Sequence, residues 1–358
     1  MIIPIIMSIM ISVIPLDVYA ANNNNDLKVV PLNKIISSLT IQPISNNSSN
    51  ESISNLKLDN TNNDVTSKNT NSSKSIIKVV ASFFPIYEFV KAVGGDRVQT
   101  SVLIPIGSEP HSFDPTIQQI SNAQTADMIV YNGAGLETAW INKVNPKFVV
   151  DTSQGLNVLS SNDKVAPTGV DPHIWLDPIL AKHQVNMIQN GLMKVDPSNA
   201  NYYKDNAQKF IAQLNSLDST IKSGLSNCNK KDFISFHNAF AYFAQRYGLN
   251  QHSIQGISPE GEILPQKIQE IIQLSHTLGI NTIYSEDLVD PRAAQVIADE
   301  IPNGKVLVLS PIEGIKPAEQ KEGMGYLNKM KQDLTNLEIG LQCTNNNDTN
   351  NGQKPAIS

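Results

Sequence analysis

Asp196-Pro197-Ser198-Asn199-Ala200-Asn201-Tyr202-Tyr203 opens a stretch that runs to Leu225 and decides the fold. Asp-Pro-Ser-Asn supplies a helix start, and Tyr202, Phe210, Ile211, Leu214, Leu217 and Ile221 then keep helical spacing over about seven turns. On both sides of it, short apolar runs alternate with helical stretches. Upstream, strand-like runs at residues 77–83, 98–104, 128–131 and 148–150 alternate with helical patterns at 85–93, 118–126 and 136–144, and a further helix follows at 179–195. Downstream, strands at 232–236, 251–257, 282–284 and 306–309 alternate with helices at 239–247, 265–278, 292–301 and 326–341. Such alternation predicts an α/β protein of two βα lobes with mostly parallel sheets, joined by the long backbone helix. The expected division is residues 76–195 for the first lobe, 196–227 for the linking helix and 228–341 for the second lobe. A spine of this length predicts modest closure of the lobes.

The chain of 358 residues with 40% apolar content is long enough for two cores. Its formal charge of −6 gives no electrostatic case for a nucleic-acid partner or an anionic membrane surface. Residues 1–16 are almost uninterrupted Ile, Met, Val and Pro, too short for a membrane span, and Val18 and Ala20 suit a cleavage site. Residues 1–21 are therefore read as an export signal or hydrophobic tether, although no Lys or Arg precedes the apolar run, and the protein as extracytoplasmic. No Cys follows that could carry a lipid anchor. Residues 22–75 are rich in Asn, Ser and Thr without useful periodicity and are expected to form a disordered stalk; residues 342–358 have the same polar character. Asn47, Asn50 and Asn71 head glycosylation acceptor patterns, which recur by chance in such composition. Cys228 and Cys343 are compatible with one bridge outside the cytoplasm or with two thiols.

Three histidines share a kind of place. His111 lies in Pro110-His111-Ser112-Phe113-Asp114-Pro115, His173 in Asp171-Pro172-His173-Ile174-Trp175-Leu176-Asp177-Pro178, and His237 follows Phe233-Ile234-Ser235-Phe236. Each falls where a strand or loop hands over to a helix, the edge at which open α/β sheets bind ligands. Two belong to the first lobe and one to the second, so a shared site must lie in the cleft between lobes. A lone histidine is more often a satisfied core or surface residue, and His183, His252 and His276 are read that way.

The segments 107–115, 171–178 and 235–243 resemble the three metal-binding signatures of the zinc/manganese family of ABC-transporter substrate-binding proteins, in order, over residues 77–341. That resemblance implies two lobes and a backbone helix enclosing one divalent ion, and delivery of that ion to a membrane permease. It carries the ligand role to His111, His173 and His237. Manganese members commonly have Glu at the third position, where this chain has His. Many members carry Asp at the final strand's exit, where Ser310 stands here; members with a Leu-x-Pro-Leu-Glu exit make Glu313 the first choice for the fourth ligand, with Glu286 the second. The alternative for Glu313 is a solvated loop carboxylate.

Three neutral imidazoles and one carboxylate suit zinc in tetrahedral geometry, whereas manganese prefers more oxygen ligands. Asp114 and Asp177, nearby in sequence, are the expected partners for the second imidazole nitrogens. Zinc members often carry a histidine-rich loop near the second ligand; residues 152–171 contain no histidine. The reading is thus high-affinity capture of zinc by a monomer that is not an enzyme. The rivals are a manganese-binding relative, a zinc hydrolase in which Glu286 acts as general base, and a surface adhesin with a structural metal.

Overall fold

The computed structural model describes residues 18–21, 27–30, 76–161 and 168–344. In the N-terminal unit, β1 (Val18–Ala21) pairs antiparallel with β2 (Leu27–Val30), Val18 opposite Val30 and Ala21 opposite Leu27. The β-prone Val and Tyr of these segments form a pairing that the composition of residues 22–75 does not announce. The rest of the leader and stalk readings, the acceptor asparagines and the tail beyond residue 344 lie outside the described residues. Among the described residues no helix is long and apolar enough to cross a membrane.

The second unit holds both lobes. The first is built from β3 (Ile77–Ala81), α1 (Phe84–Gly94), β4 (Val98–Val102), α2 (Ile117–Gln124), β5 (Met128–Tyr131), β6 (Val149–Asp151) and α3 (Pro178–Val195). Its sheet runs β4-β3-β5-β6 with every pair parallel. Helices start where the chemistry allows. Thr116 and Gln119 form a capping box on α2, and the Asp177 carboxylate accepts the Ile179 N–H at the head of α3, with Pro178 in its first turn. The second lobe comprises β7 (Asp232–Ser235), α5 (Ala241–Tyr247), β8 (Asn250–Ser253), α6 (Pro265–Leu278), β9 (Thr282–Ser285), α7 (Arg292–Asp299), β10 (Lys305–Val308), α8 (Pro317–Lys321) and α9 (Tyr326–Gly340); α4, between the lobes, is described below. Its parallel sheet runs β8-β7-β9-β10. Both lobes therefore share one strand order, the first strand flanked by the second and third, with the fourth outermost.

The spine is α4 (Ala200–Gly224), preceded by a 3-10 turn at Pro197–Asn199. At 1.5 Å per residue its 25 residues span about 37 Å. Tyr203, Ala207, Phe210, Leu214, Leu217 and Ile221 are its buried face, spaced by fours and threes as an amphipathic helix requires. Tyr202, expected on that stripe, is only half-buried; its hydroxyl accepts the Asp96 N–H instead. The main apolar cluster runs through this face from Val79, Phe89 and Trp175 in the first lobe to Phe233, Tyr284 and Leu337 in the second. The lobes are thus packed on one continuous core.

The two cysteines pair: a disulfide joins Cys228, just past the spine, to Cys343, just past α9. Around it Asn229 N–H donates to Gln342 O and Thr344 N–H to Asn227 O. The structure departs from expectation at residues 136–144, which form turns ending in a 3-10 turn at Ile141–Lys143. Gly133, Ala134 and Gly135 all have positive φ, and the Glu137 carboxylate is engaged by the N–H groups of Asn132 and Gly133, so the chain reverses here instead of starting a helix. The strand expected over 251–257 is only β8; beyond its end the Ile254 and Gln255 N–H groups still donate to Ser235 O and Phe236 O, and Ile254 and Ile257 are buried.

Candidate metal centre

The strand ends of the two sheets bring His111, His173, His237 and Glu313 together. His111 sits in the loop after β4, His173 before the 3-10 turn Ile174–Leu176 that leads into α3, His237 two residues past β7, and Glu313 beyond β10. One ligand atom from each lies within 4.8 Å of all the others. His173 Nε2 is 3.2 Å from both His111 Nε2 and His237 Nε2. Glu313 Oε1 is 3.0, 3.3 and 3.4 Å from the Nε2 atoms of His111, His173 and His237. A tetrahedron with about 2.0–2.1 Å from centre to nitrogen has edges of about 3.3 Å. Five of the six separations, all but that of His111 from His237, lie near that edge length.

Hydrogen bonds fix which nitrogen faces that point. His173 Nδ1 is 2.7 Å from Asp171 Oδ1 and His237 Nδ1 is 2.7 Å from Glu286 Oε1. Carboxylate oxygens accept, so each Nδ1 carries a proton and, in the neutral ring, each Nε2 presents a lone pair. The same carboxylates accept the backbone N–H groups of His173 (2.9 Å) and His237 (3.0 Å), locking ring and backbone together. Converging lone pairs beside a buried carboxylate repel unless a cation or proton lies among them.

The electrostatics show the same tension. Burial disfavours the charged form of His173, but Asp171 and Glu313 outweigh it and raise its pKa. For His237 burial is likewise outweighed, by Glu286 and Glu313, and the pKa is raised well above the ordinary value. His111 is lowered, burial prevailing over Glu313. Glu313 is fully buried, which favours its neutral form, yet His237 and His111 hold it well below the usual carboxylate range. Protons and a metal ion compete here for the same nitrogens.

Asp114 and Asp177 do not take the roles expected of them. Asp114 is exposed and pairs with Lys143 at 2.9 Å; Asp177 caps α3 and faces Arg246 Nε at 3.3 Å. Their place is filled by Asp171 and Glu286. Asp171 stands two residues before His173, a local turn signal readable in Asp-Pro-His. Glu286, the second choice as ligand, lies instead against the far nitrogen of His237. It arrives there because β7 and β9 are neighbours at the point where the strand order reverses, so their exits meet.

The segment carrying Glu313 is strained and well held. Ile312, a β-branched residue, has φ 57°, a left-handed conformation that costs on the order of 1–3 kcal/mol. Ser310 Oγ accepts the Ile312 N–H, and Trp175 Nε1, from the His173 segment of the other lobe, donates to Pro311 O at 2.7 Å. Beside His111 a cavity of about 420 Å³ opens, lined from both lobes by Leu136, Pro172, Ile257 and Glu260; Ser112 Oγ donates to Glu260 Oε1 across it at 2.6 Å.

Behind His173 a buried polar network supports its loop. Asn132 Nδ2 donates to Pro172 O, Gln184 Nε2 to Asn132 Oδ1 and Thr152 Oγ1, and the Glu137 carboxylate accepts two backbone N–H groups. Burial pushes Glu137 from 4.5 up to about 7, against the pull of those donors. An acid raised on folding stabilises least when ionised, so its contribution is most favourable below pH 4.5 and declines as pH rises through 7, by roughly 3 kcal/mol in all. Urea unfolding of the parent and of Glu137→Gln across this range is expected to show a decline steeper in the parent by about that amount; parallel curves would refute it.

Residues 79–340 match the family model described as zinc-uptake complex component A, periplasmic. The high-affinity zinc uptake system protein ZnuA of Bacillus subtilis (strain 168) is 34% identical over 281 residues, covering 74% of this chain and 88% of that protein. Among solved structures, the Zn(II)-bound ZnuA-like domain of Streptococcus pneumoniae AdcA has a TM-score of 0.66 at 31% identity, covering 75% of this chain and 99% of that one. The laminin-binding protein Lmb of Streptococcus agalactiae, described as bifunctional with adhesin and metal transporting activity, has a TM-score of 0.66 at 32% identity, with the same coverage. Two parallel-sheet lobes on a helical spine, with a His/Glu cluster between them, therefore belong to the periplasmic zinc-uptake component A family, whose members are substrate-binding proteins rather than enzymes.

Proposed function

We propose that the protein captures one zinc ion through His111, His173, His237 and Glu313 and hands it to the membrane permease of an ABC transporter. The observation that carries the ligand assignment is the set of five 3.0–3.4 Å separations, two between Nε2 atoms and three from them to Glu313 Oε1, each close to the edge of a zinc tetrahedron. Here zinc is cargo. Two ligands come from loops of residues 76–195 and two from residues 228–341, with 196–227 linking them, so capture draws the lobes onto the ion. A manganese preference is disfavoured by the donor set, three nitrogens to one oxygen. We further propose that the chain acts as a monomer, with residues 1–21 as export signal or tether and 22–75 as stalk, outside the cytoplasm as a periplasmic family member. An adhesive role is a second reading, supported by the descriptions of laminin-binding structural neighbours such as Lmb; binding to immobilised laminin tests it.

Zinc titration across pH checks the centre. Ligating imidazoles must be neutral, and the pKa of His173 and His237 is raised, so apparent affinity is expected to climb with pH through and beyond about 6.5 and to fall steadily toward pH 5. One ion per chain with that profile is the expected result. An affinity unchanged at pH 5 would sink the three-histidine assignment.

A further inference from the structure

One face of α9 touches the segments that carry His173, Glu286 and Glu313. Tyr326, Lys329 and Asp333, spaced by three and four, are buried on it at 1%, 0% and 3% exposure. The Tyr326 hydroxyl donates to Trp175 O, two residues past His173. Lys329 Nζ lies 2.8 Å from Asp287 Oδ2, in the residue after Glu286, and 3.0 Å from Glu319 Oε1, six residues past Glu313. Asp333 Oδ1 accepts the Ser310 N–H at 2.8 Å, three residues before Glu313. A lysine is almost never fully buried unless it is paired. This one is paired twice, once with the loop that carries Glu286 and once with the segment that follows Glu313.

We propose that α9 is the positioning element of the metal centre and Lys329 its chief positioning residue. Lys329 holds Asp287, hence the Glu286 carboxylate that orients His237. With Asp333 it pins the two ends of the strained Ser310–Glu319 segment, so that Glu313 keeps its place although Ile312 sits at φ 57°. A strained backbone persists only where its surroundings over-determine it, and a ligand's outer partner commonly governs metal affinity. The inference rests on the four-residue zinc site proposed above.

The test is zinc titration and metal-free melting of full-length Lys329→Met, Asp287→Asn, the double variant and His173→Ala. Lys329→Met orphans the Asp287 charge and is expected to lower both affinity and melting temperature. The double variant removes the buried orphan and leaves only the part-exposed Glu319 without its lysine, so its melting temperature should return part of the way to that of the parent while zinc affinity stays about 10- to 100-fold weaker. Its cobalt(II) form should show an altered visible spectrum, because the His237 and Glu313 geometry is loosened. Should Lys329→Met fail to fold, Asp287→Asn carries the same expectation for affinity. If the double variant and Asp287→Asn bind zinc as tightly as the parent while His173→Ala loses it, α9 is merely structural and the proposal falls alone. If His173→Ala also binds like the parent, the zinc site itself is wrong and both fall.

Discussion

His173→Ala is expected to lower zinc affinity by more than the about 10- to 100-fold that follows loss of an outer partner. His173 is fully buried and stands between the other two imidazoles, 3.2 Å from each and 3.3 Å from Glu313 Oε1, so it forms three edges of the cluster. Alanine also leaves Asp171 with only the backbone N–H of residue 173 among the contacts it made to this histidine. An orphaned buried acceptor costs about 1–3 kcal/mol, so the metal-free protein should melt lower as well. Isothermal titration beside a thermal scan separates the two effects. Parent-like affinity in this variant would remove the ligand set, whatever the melting temperature did.

Breaking the disulfide should produce the largest change in stability. Cys228 and Cys343 are separated by 115 residues, and that interval holds all four strands of the second sheet. By the loop-entropy estimate, cross-linking a chain of this length removes about 5 kcal/mol of disorder from the unfolded state. For a unit of this size that is a fall in melting temperature of roughly 10–20 °C. Cys228→Ser with Cys343→Ser, or mild reduction, should show it in the metal-free protein. Saturating zinc should recover part of it, since an ion bound only by the folded state adds stability by mass action. Equal melting temperatures for parent and double serine variant would show that the denatured chain does not feel the link.

The lobes and spine were legible because periodicity is a local property. Leu214, Leu217 and Ile221 announce a helix face, and Ile283 and Val306 announce strands, without knowledge of their partners. The 136–144 segment misled because Leu136, Trp140 and Val144 have helical spacing, but positive φ at Gly133–Gly135 and the grip of Glu137 on two N–H groups override propensity. In the centre, His111, His173 and His237 were readable from their signatures. Asp171 was within reach as the residue two before His173. Glu286 against His237 was not, because 49 residues separate them and only strand order brings them together. Lys329 was the least legible: a lysine in a helix reads as solvent-facing, and its burial becomes intelligible only once Asp287 and Glu319 arrive from other segments.

That each lobe contributes two of the four clustered side chains makes the ion a measure of lobe cohesion. Whatever free energy zinc adds by holding the lobes together, it must lose when they are held apart, and linkage makes the two quantities equal. A receptor that grips the parted lobes more tightly than the closed pair, by some factor, weakens zinc by that same factor. If a permease takes the ion as proposed, release would need no acid and no reductant: the permease would have only to prefer the open shape, and the strength of that preference could be read from how much harder the protein is to dock when loaded than when bare.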